Sequence, residues 1–333
     1  MDYVLLLGIL FVPIILISFL STLLVLPKWI ERAKKEKLVG KDIHKVKKTY
    51  VAEAGGITVL IGFVIGVFLY VALKTFFFEA ETNLIFILGL MSVIFCAAIV
   101  GIFDDLLGWK RGLNNKLRIG LLLFAAIPLI ALNAGTSEML GINLGLFYPL
   151  VLVPLAIVGT TSTFNFLAGY NGLEASQGIL VLTAMSILTF ITGNPWLSVI
   201  SACMVASLFA FYLFNKYPAK VFPGDILTYP VGALIGCIAI LGNVEKVALF
   251  FFIPYILECF LKLRGKLKKE SFASVQDDGS LELRYDKIYG LEHLALVVLK
   301  KIKPSHKVYE KEIPLLINLF QLLIIVLGFI WFL

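Results

Sequence analysis

Four acidic side chains stand where long apolar runs meet polar sequence: Glu53, Asp104, Asp105 and Asp225. A carboxylate at the mouth of a membrane segment is costly to keep there and is a functional candidate by default. Asp225 closes the run Phe214-Asn215-Lys216-Tyr217-Pro218-Ala219-Lys220-Val221-Phe222-Pro223-Gly224-Asp225, after which the chain turns apolar again. Asp104 and Asp105 directly follow an apolar run, and Lys116 and Arg118 open the next one. Adjacent carboxylates repel unless a cation or a proton relieves them. Lys110 and Arg111 offer the plain structural account of that relief, while helix capping offers one for Glu53 and Asp225.

A further polar segment, Phe164 to Gly178, is punctuated by glycine and carries Asn165, Asn171, Glu174 and Gln177. Asn171-Gly172 reads as a turn, but a turn does not account for the other three. Side-chain carbonyls suit a hard cation, and backbone amides suit phosphate oxygens. Interfacial acids, an amide and Lys116 together suit a phosphoryl-transfer site holding Mg²⁺, or Mn²⁺ in its place. A lipid-linked-sugar or ion transporter would instead place acids or broken helices within the membrane, and the fifth to tenth apolar runs hold no acid near their centres. The sequence shows no Gly-rich nucleotide loop of the kind that drives ATP-fuelled pumps.

The elements that position these residues are membrane spans. The chain is 60% hydrophobic and 15% charged, where a soluble domain carries about a quarter charged residues. Ten apolar runs are near the ~20 residues that cross a bilayer: about 3–26, 53–73, 84–103, 117–132, 146–164, 178–192, 196–214, 226–242, 246–262 and 313–333. The stretches 27–50, 104–118, 215–220 and 262–312 hold 27 of the 29 Lys and Arg residues. Ten spans with both termini outside put all four in the cytoplasm. The net charge of +7 then faces anionic lipid headgroups, and nucleic acid is not an expected partner. The first run lacks a basic leader and is expected to stay as a span. Cys96, Cys203, Cys237 and Cys259 have no metal-like spacing and read as core residues.

The expected fold is all-α: a polytopic membrane protein of ten transmembrane helices forming one integral membrane domain, 1–333. Between spans nine and ten, the loop 262–312 is expected to form a small β-hairpin around Asp278-Gly279 and an amphipathic helix. Ile288, Leu291, Ala295, Val298 and Ile302 recur at helical spacing beside Lys300, Lys301 and Lys303, which predicts a helix lying on the membrane surface. His293 beside that stripe reads as a packed histidine.

The pattern resembles the polyprenyl-phosphate N-acetylhexosamine-1-phosphate transferases. The residues that carry the resemblance are the Asp104-Asp105 pair, the run ending at Asp225, and Phe164-Asn165-Phe166-Leu167-Ala168-Gly169-Tyr170-Asn171-Gly172-Leu173-Glu174-Ala175-Ser176-Gln177. The last is closest to the dolichyl-phosphate branch. The resemblance implies transfer of GlcNAc-1-phosphate from UDP-GlcNAc to a polyprenyl or dolichyl phosphate, with UMP released, or the same reaction on another UDP-N-acetylhexosamine. It implies Mg²⁺ on Asn171 and Asp225, and phosphate held by Lys116. Asp104 and Asp105 would orient the acceptor phosphate and the metal. Lys41, Asp42, Ile43 and Glu53 would lie near the uridine, Gln177 near the sugar nucleotide, and Phe164, Asn165 and Gly172 along the acceptor's approach. One departure stands out. Relatives carry an Arg-His-Arg or His-rich motif in the last inner loop, and the corresponding positions here are Lys268-Lys269-Glu270. Lys268 and Lys269 are expected to contact the sugar without the planar fork of arginine. The resemblance further implies a multi-pass protein with a cytoplasmic active site, in an archaeal plasma membrane or a eukaryotic ER membrane. A homodimer is an assembly it leaves open.

Overall fold

The computed structural model describes residues 3–77, 83–107, 112–139 and 142–333. In chain order come α1 (Tyr3–Lys35), β1 (Val39–Asp42), β2 (Thr49–Ala52), α2 (Gly56–Phe77), α3 (Leu84–Leu107), α4 (Asn115–Ala125) and α5 (Ile127–Ala131). A small hairpin, β3 (Glu138–Met139) and β4 (Ile142–Asn143), leads to a π-helical turn at Tyr148–Leu152 that runs into α6 (Val153–Phe166). Then follow α7 (Leu173–Ile191), α8 (Pro195–Asn215), α9 (Asp225–Leu241), α10 (Glu245–Phe251) and α11 (Ile253–Arg264). The chain closes with β5 (Ser274–Val275), β6 (Leu281–Glu282), α12 (Leu291–Ile302) and α13 (Glu312–Phe332).

Among the described residues seven helices are long and apolar enough to cross a membrane: α1, α2, α3, the Tyr148–Phe166 run, α7, α8 and α13. The apolar runs expected at 117–132 and 246–262 are each divided, into α4–α5 and α10–α11, with Pro128 and Pro254 in the first turn of the second piece. Proline has no N–H to continue the ladder, so the preceding turn loses its bond and the axis breaks. At the second break the side chain of Gln321 donates to the Phe251 carbonyl at 2.9 Å, satisfying a backbone group that lipid would leave bare. The run expected at 226–242 is the shorter helix α9.

Helix α9 is the hub. Every residue from Ile226 to Ile240 is buried, and it packs on α3, α6, α2, α7 and α8. Its contact with α3 is backbone on backbone: a Cβ on Gly101 would stand 2.5 Å from the Asp225 carbonyl oxygen. A second layer, α1–α2–α8, packs against α7. Small residues make the contact between α1 and α8, where Ser207 donates to the Ser18 carbonyl at 3.4 Å.

The hairpin expected around Asp278-Gly279 is present, with Val275 opposite Leu281. A second hairpin, β1–β2, was not expected; it pairs Val39 with Ala52 and Asp42 with Thr49. Its strands are only four residues each, too short for alternation to show. The expectation of a helix resting on the membrane surface is corrected. In α12, Leu291, Ala295 and Leu296 are buried, and the helix packs on α13 and α11, so protein covers the first half of its apolar face while Ile302 at its end stays exposed.

Candidate active site at the ends of the spans

Neighbouring residues on a helix point about 100° apart, so the acids that end α3 serve different partners. Asp105 turns to α9. Its carboxylate accepts the Asp225 N–H at 2.8 Å and the Ile226 N–H at 3.1 Å. These are orphan donors at a positive helix end, a favourable place for an anion that would otherwise sit unfavourably at the C-terminus of α3. Glycine is required at 224. Its φ is +72°, and a Cβ there would lie 2.5 Å from Asp105 Oδ2. Asp104 turns to α4, accepting from Arg118 at 2.6 Å, from the Leu113 N–H, and from the Tyr229 hydroxyl at 3.4 Å. The repulsion within the pair is thus relieved by a guanidinium and a helix end. Lys110 and Arg111, the expected neutralisers, lie outside the described residues.

The two asparagines also part company. Asn165, in the last turn of α6, accepts from the Thr228 hydroxyl at 2.9 Å, one turn along α9 from Asp225. Asn171, expected to share a metal with Asp225, lines the same cavity, and its side-chain amide donates to Asp42 at 3.1 Å and its N–H to Glu310 at 3.1 Å. Glu310 gathers the loops at this end of the spans. It pairs with Lys45, which is also 3.4 Å from Asp42, and lies 3.8 Å from His44 Nδ1. His44 stacks on Tyr170 with centroids 4.2 Å apart and accepts the Ala273 N–H at 3.2 Å. Burial pushes the Glu310 carboxyl up, but hydrogen bonds from His44 and Lys45 outweigh it and hold it below its ordinary value. Burial raises Glu53, whose backbone carbonyl accepts the Trp29 indole at 3.0 Å.

These groups surround a cavity of ≈ 1310 Å³. Lys41, Asp42, Ile43, Glu53, Asn165, Asn171, Asp225 and Lys269 line it, as does Arg118, which the sequence reading noticed but assigned no role. Asp104 and Asp105 stand behind this wall, holding Arg118 and the start of α9. Ile119 of α4 and Val158, Gly159, Ser162, Thr163 and Phe166 of α6 make a mostly apolar flank. Besides Asp104 and Asp105, five expected residues do not line the cavity. Lys116 is exposed at the start of α4. Phe164 is buried and stacks on Tyr255. Gly172 caps α7 with φ +83°. Gln177 donates to Asn318 at 2.8 Å and accepts from Tyr255 at 3.2 Å, bracing α7 against α13 and α11. Lys268 stays off the wall, and the Lys269 ammonium lies over the Tyr285 ring, 4.7 Å from its centroid.

Glu310 and His44 carried no local signal; their roles arise only when loops more than two hundred residues apart in sequence meet. Arg118 is visible in hindsight, two residues after Lys116 and on a different face of the same helix turn. Among the described residues no three His, Cys, Asp or Glu side chains gather as an all-protein metal site. Asp225, facing the cavity with the Asn165 amide one turn along α9, is the kind of donor set that Mg²⁺ takes when substrate phosphates complete its shell.

A helical membrane protein with a cavity at the ends of its spans, walled by Asp225, Asn165 and Asn171, is the class that fold and site define. The chain belongs to glycosyl transferase family 4, which residues 86–243 match. It is 35% identical over 289 residues, 85% of this chain and 86% of the relative, to a Saccharolobus solfataricus protein named UDP-N-acetylglucosamine--dolichyl-phosphate N-acetylglucosaminephosphotransferase. A Sulfolobus acidocaldarius protein of the same name is 33% identical over 80% of this chain and 82% of its own length. The phospho-N-acetylmuramoyl-pentapeptide-transferase of Streptococcus pyogenes is 29% identical over 73% of this chain and 76% of its own.

Proposed function

We propose that the protein transfers GlcNAc-1-phosphate from UDP-GlcNAc to a dolichyl-type polyprenyl phosphate. An oxygen of the lipid phosphate attacks the β-phosphorus, the bond to the α-phosphate oxygen breaks, and UMP leaves. The observation that carries this reading is the placing of Asp225. It faces the cavity from the first turn of the hub helix, with Asn165 held one turn away and the Asp104–Arg118 pair beside it. The archaeal relatives' names point the same way.

Mg²⁺, when bound, neutralises charge on the donor diphosphate. Asp225 would hold it, and the hydrogen-bond pattern favours Asn165 over Asn171 as the amide that joins Asp225. Arg118 offers the cavity a fixed guanidinium for phosphate oxygens, with Asp104 setting its orientation. Asp105 has both oxygens engaged by the α9 amides and serves to aim Asp225 rather than to take a proton. No base is needed, since a lipid phosphate is already ionised at neutral pH. Catalysis would then rest on in-line positioning and charge.

The apolar flank of α4 and α6 gives the acceptor chain a way in from lipid. The breaks at Pro128 and Pro254 are lined by apolar side chains such as Ala126 and Phe252 and take no part in the cavity wall, which favours a transferase over a transporter. We further infer ten crossings, with α4–α5, α9 and α10–α11 as the three short ones. Both termini lie outside, the cavity opens to the cytoplasm, and the membrane is an archaeal plasma membrane. The test is UMP release from a panel of UDP-N-acetylhexosamines, with and without polyprenyl phosphate and Mg²⁺. Dependence on both, with UDP-GlcNAc preferred, supports the assignment; preference for another sugar redirects it.

A further inference from the structure

We propose that Glu310 is a positioning residue for the sugar-nucleotide side of the cavity: by taking the Lys45 ammonium away from Asp42, it leaves Asp42 free to hold the Asn171 side chain; this rests on the transferase reading above. Asp42 and Asn171 line the cavity, whereas Glu310 and Lys45 stand behind that wall. Both are largely buried, with side chains 3% and 16% exposed.

Two donors compete for one carboxylate oxygen. Asp42 Oδ2 accepts from the Asn171 side-chain amide at 3.1 Å, and the same oxygen lies 3.4 Å from the Lys45 ammonium. Asp42 Oδ1 accepts the His44 N–H at 3.3 Å, which keeps the carboxylate from turning away. The ammonium lies over the Tyr217 ring, 3.9 Å from its centroid, so the loop between α8 and α9 keeps it beside Asp42. A released ammonium would win that oxygen, because it adds a full opposite charge to the hydrogen bond a neutral amide makes. Glu310 prevents this. One of its oxygens pairs directly with Lys45, and the other accepts the Asn171 N–H at 3.1 Å. A single carboxylate thus fixes the Asn171 backbone and disarms the competitor for its side chain.

The effect is local to one wall residue. Asn171 stands between Tyr170, on which His44 stacks, and Gly172, whose left-handed backbone opens α7. Its backbone is therefore set, and Asp42 sets which way the amide points. Asp42 and Asn171 belong to β1 and the loop between α6 and α7, while the apolar flank that admits a lipid chain lies on α4 and α6. A turned Asn171 amide is felt by the nucleotide and not by the lipid.

The experiment measures initial rates of UMP release by the purified full-length protein, varying UDP-GlcNAc at saturating polyprenyl phosphate and Mg²⁺, and then varying the lipid at saturating UDP-GlcNAc. Wild type is compared with Glu310→Gln, Lys45→Met and the double variant. Glu310→Gln keeps the shape of the side chain but releases Lys45 to Asp42, and KM for UDP-GlcNAc should rise about tenfold with KM for the lipid unmoved. Methionine keeps a stem over Tyr217 and carries no charge to compete. The double variant should therefore return donor KM to within about twofold of wild type, although the whole ion pair is gone. Lys45→Met alone should also keep donor KM near wild type, which tests the competition even where Glu310→Gln fails to fold. A pair with a purely structural role gives another pattern: less active protein and a lower apparent kcat, with donor KM unchanged in Glu310→Gln. That pattern, a double variant with donor KM as high as Glu310→Gln, or a tenfold rise in Lys45→Met overturns the positioning role alone. Absence of UMP release by wild type overturns the transferase reading and this inference with it.

Discussion

At the scale of single residues, the acids are separated by their partners and should fail in different ways. Asp225→Ala removes the cavity-facing carboxylate, and turnover should fall on the order of 10²–10³-fold, while the melting temperature in detergent stays close to wild type. Near-normal turnover in that variant would remove the basis of the proposed metal site. Asp105→Ala should act on stability, because it orphans the two amides that open α9; a cap of this kind is worth about 1–2 kcal/mol. Thermal unfolding separates the two outcomes. Asn171 shows why residue roles were only half legible in the sequence. Its string, Gly169-Tyr170-Asn171-Gly172, announces a functional loop. That Asn165 holds Thr228, one turn along α9 from Asp225, depends on how α6 lies on α9, which no local string encodes. Glu310 was illegible for the same reason, since its partners come from two distant loops.

At the scale of elements, the site depends on how α9 begins. Gly224 combines a left-handed backbone with van der Waals crowding by Asp105. Gly224→Ala should cost about 1–2 kcal/mol from the backbone alone and should also push Asp105 off the α9 amides. A variant that matches wild type in both melting temperature and turnover would contradict this coupling. Elements of strong, simple pattern were readable: the long apolar helices by hydropathy, and the β5–β6 hairpin by Asp278-Gly279. The divisions at Pro128 and Pro254 were not drawn, because a hydropathy window merges two short helices that share one apolar run. The β1–β2 hairpin was hidden by the shortness of its four-residue strands. Helix α12 did have the amphipathic pattern expected of it, but periodicity shows that a face is apolar without showing whether lipid or protein covers it.

At the scale of the whole molecule, two properties can be checked without substrate. Ten crossings place the 262–312 loop and the β1–β2 hairpin on one side, so Ser305→Cys should react with an impermeant thiol reagent only from the cytoplasm and Thr192→Cys only from outside. The second property is stability against pH. Burial, with Lys262 nearby, holds the His293 imidazole down to about 4. The unfolded chain then binds a proton that the folded chain refuses, so stability falls as pH drops from ~6.5 towards 4. Glu292, raised by burial, contributes with the opposite sign, so the informative comparison is with His293→Asn, which should lose that part of the slope. A slope identical to wild type would mean that His293 is protonated without penalty.

The central claim is that this cavity joins a UDP-sugar to a lipid phosphate, and one assay tests it most directly. The purified protein is given UDP-GlcNAc labelled in both the sugar and the β-phosphate, with polyprenyl phosphate and Mg²⁺. The account predicts that both labels move together into the lipid fraction, with UMP released in equal amount, and that omitting the lipid or chelating the metal stops both. Transfer of the sugar label without the phosphate, with UDP released instead of UMP, would contradict it.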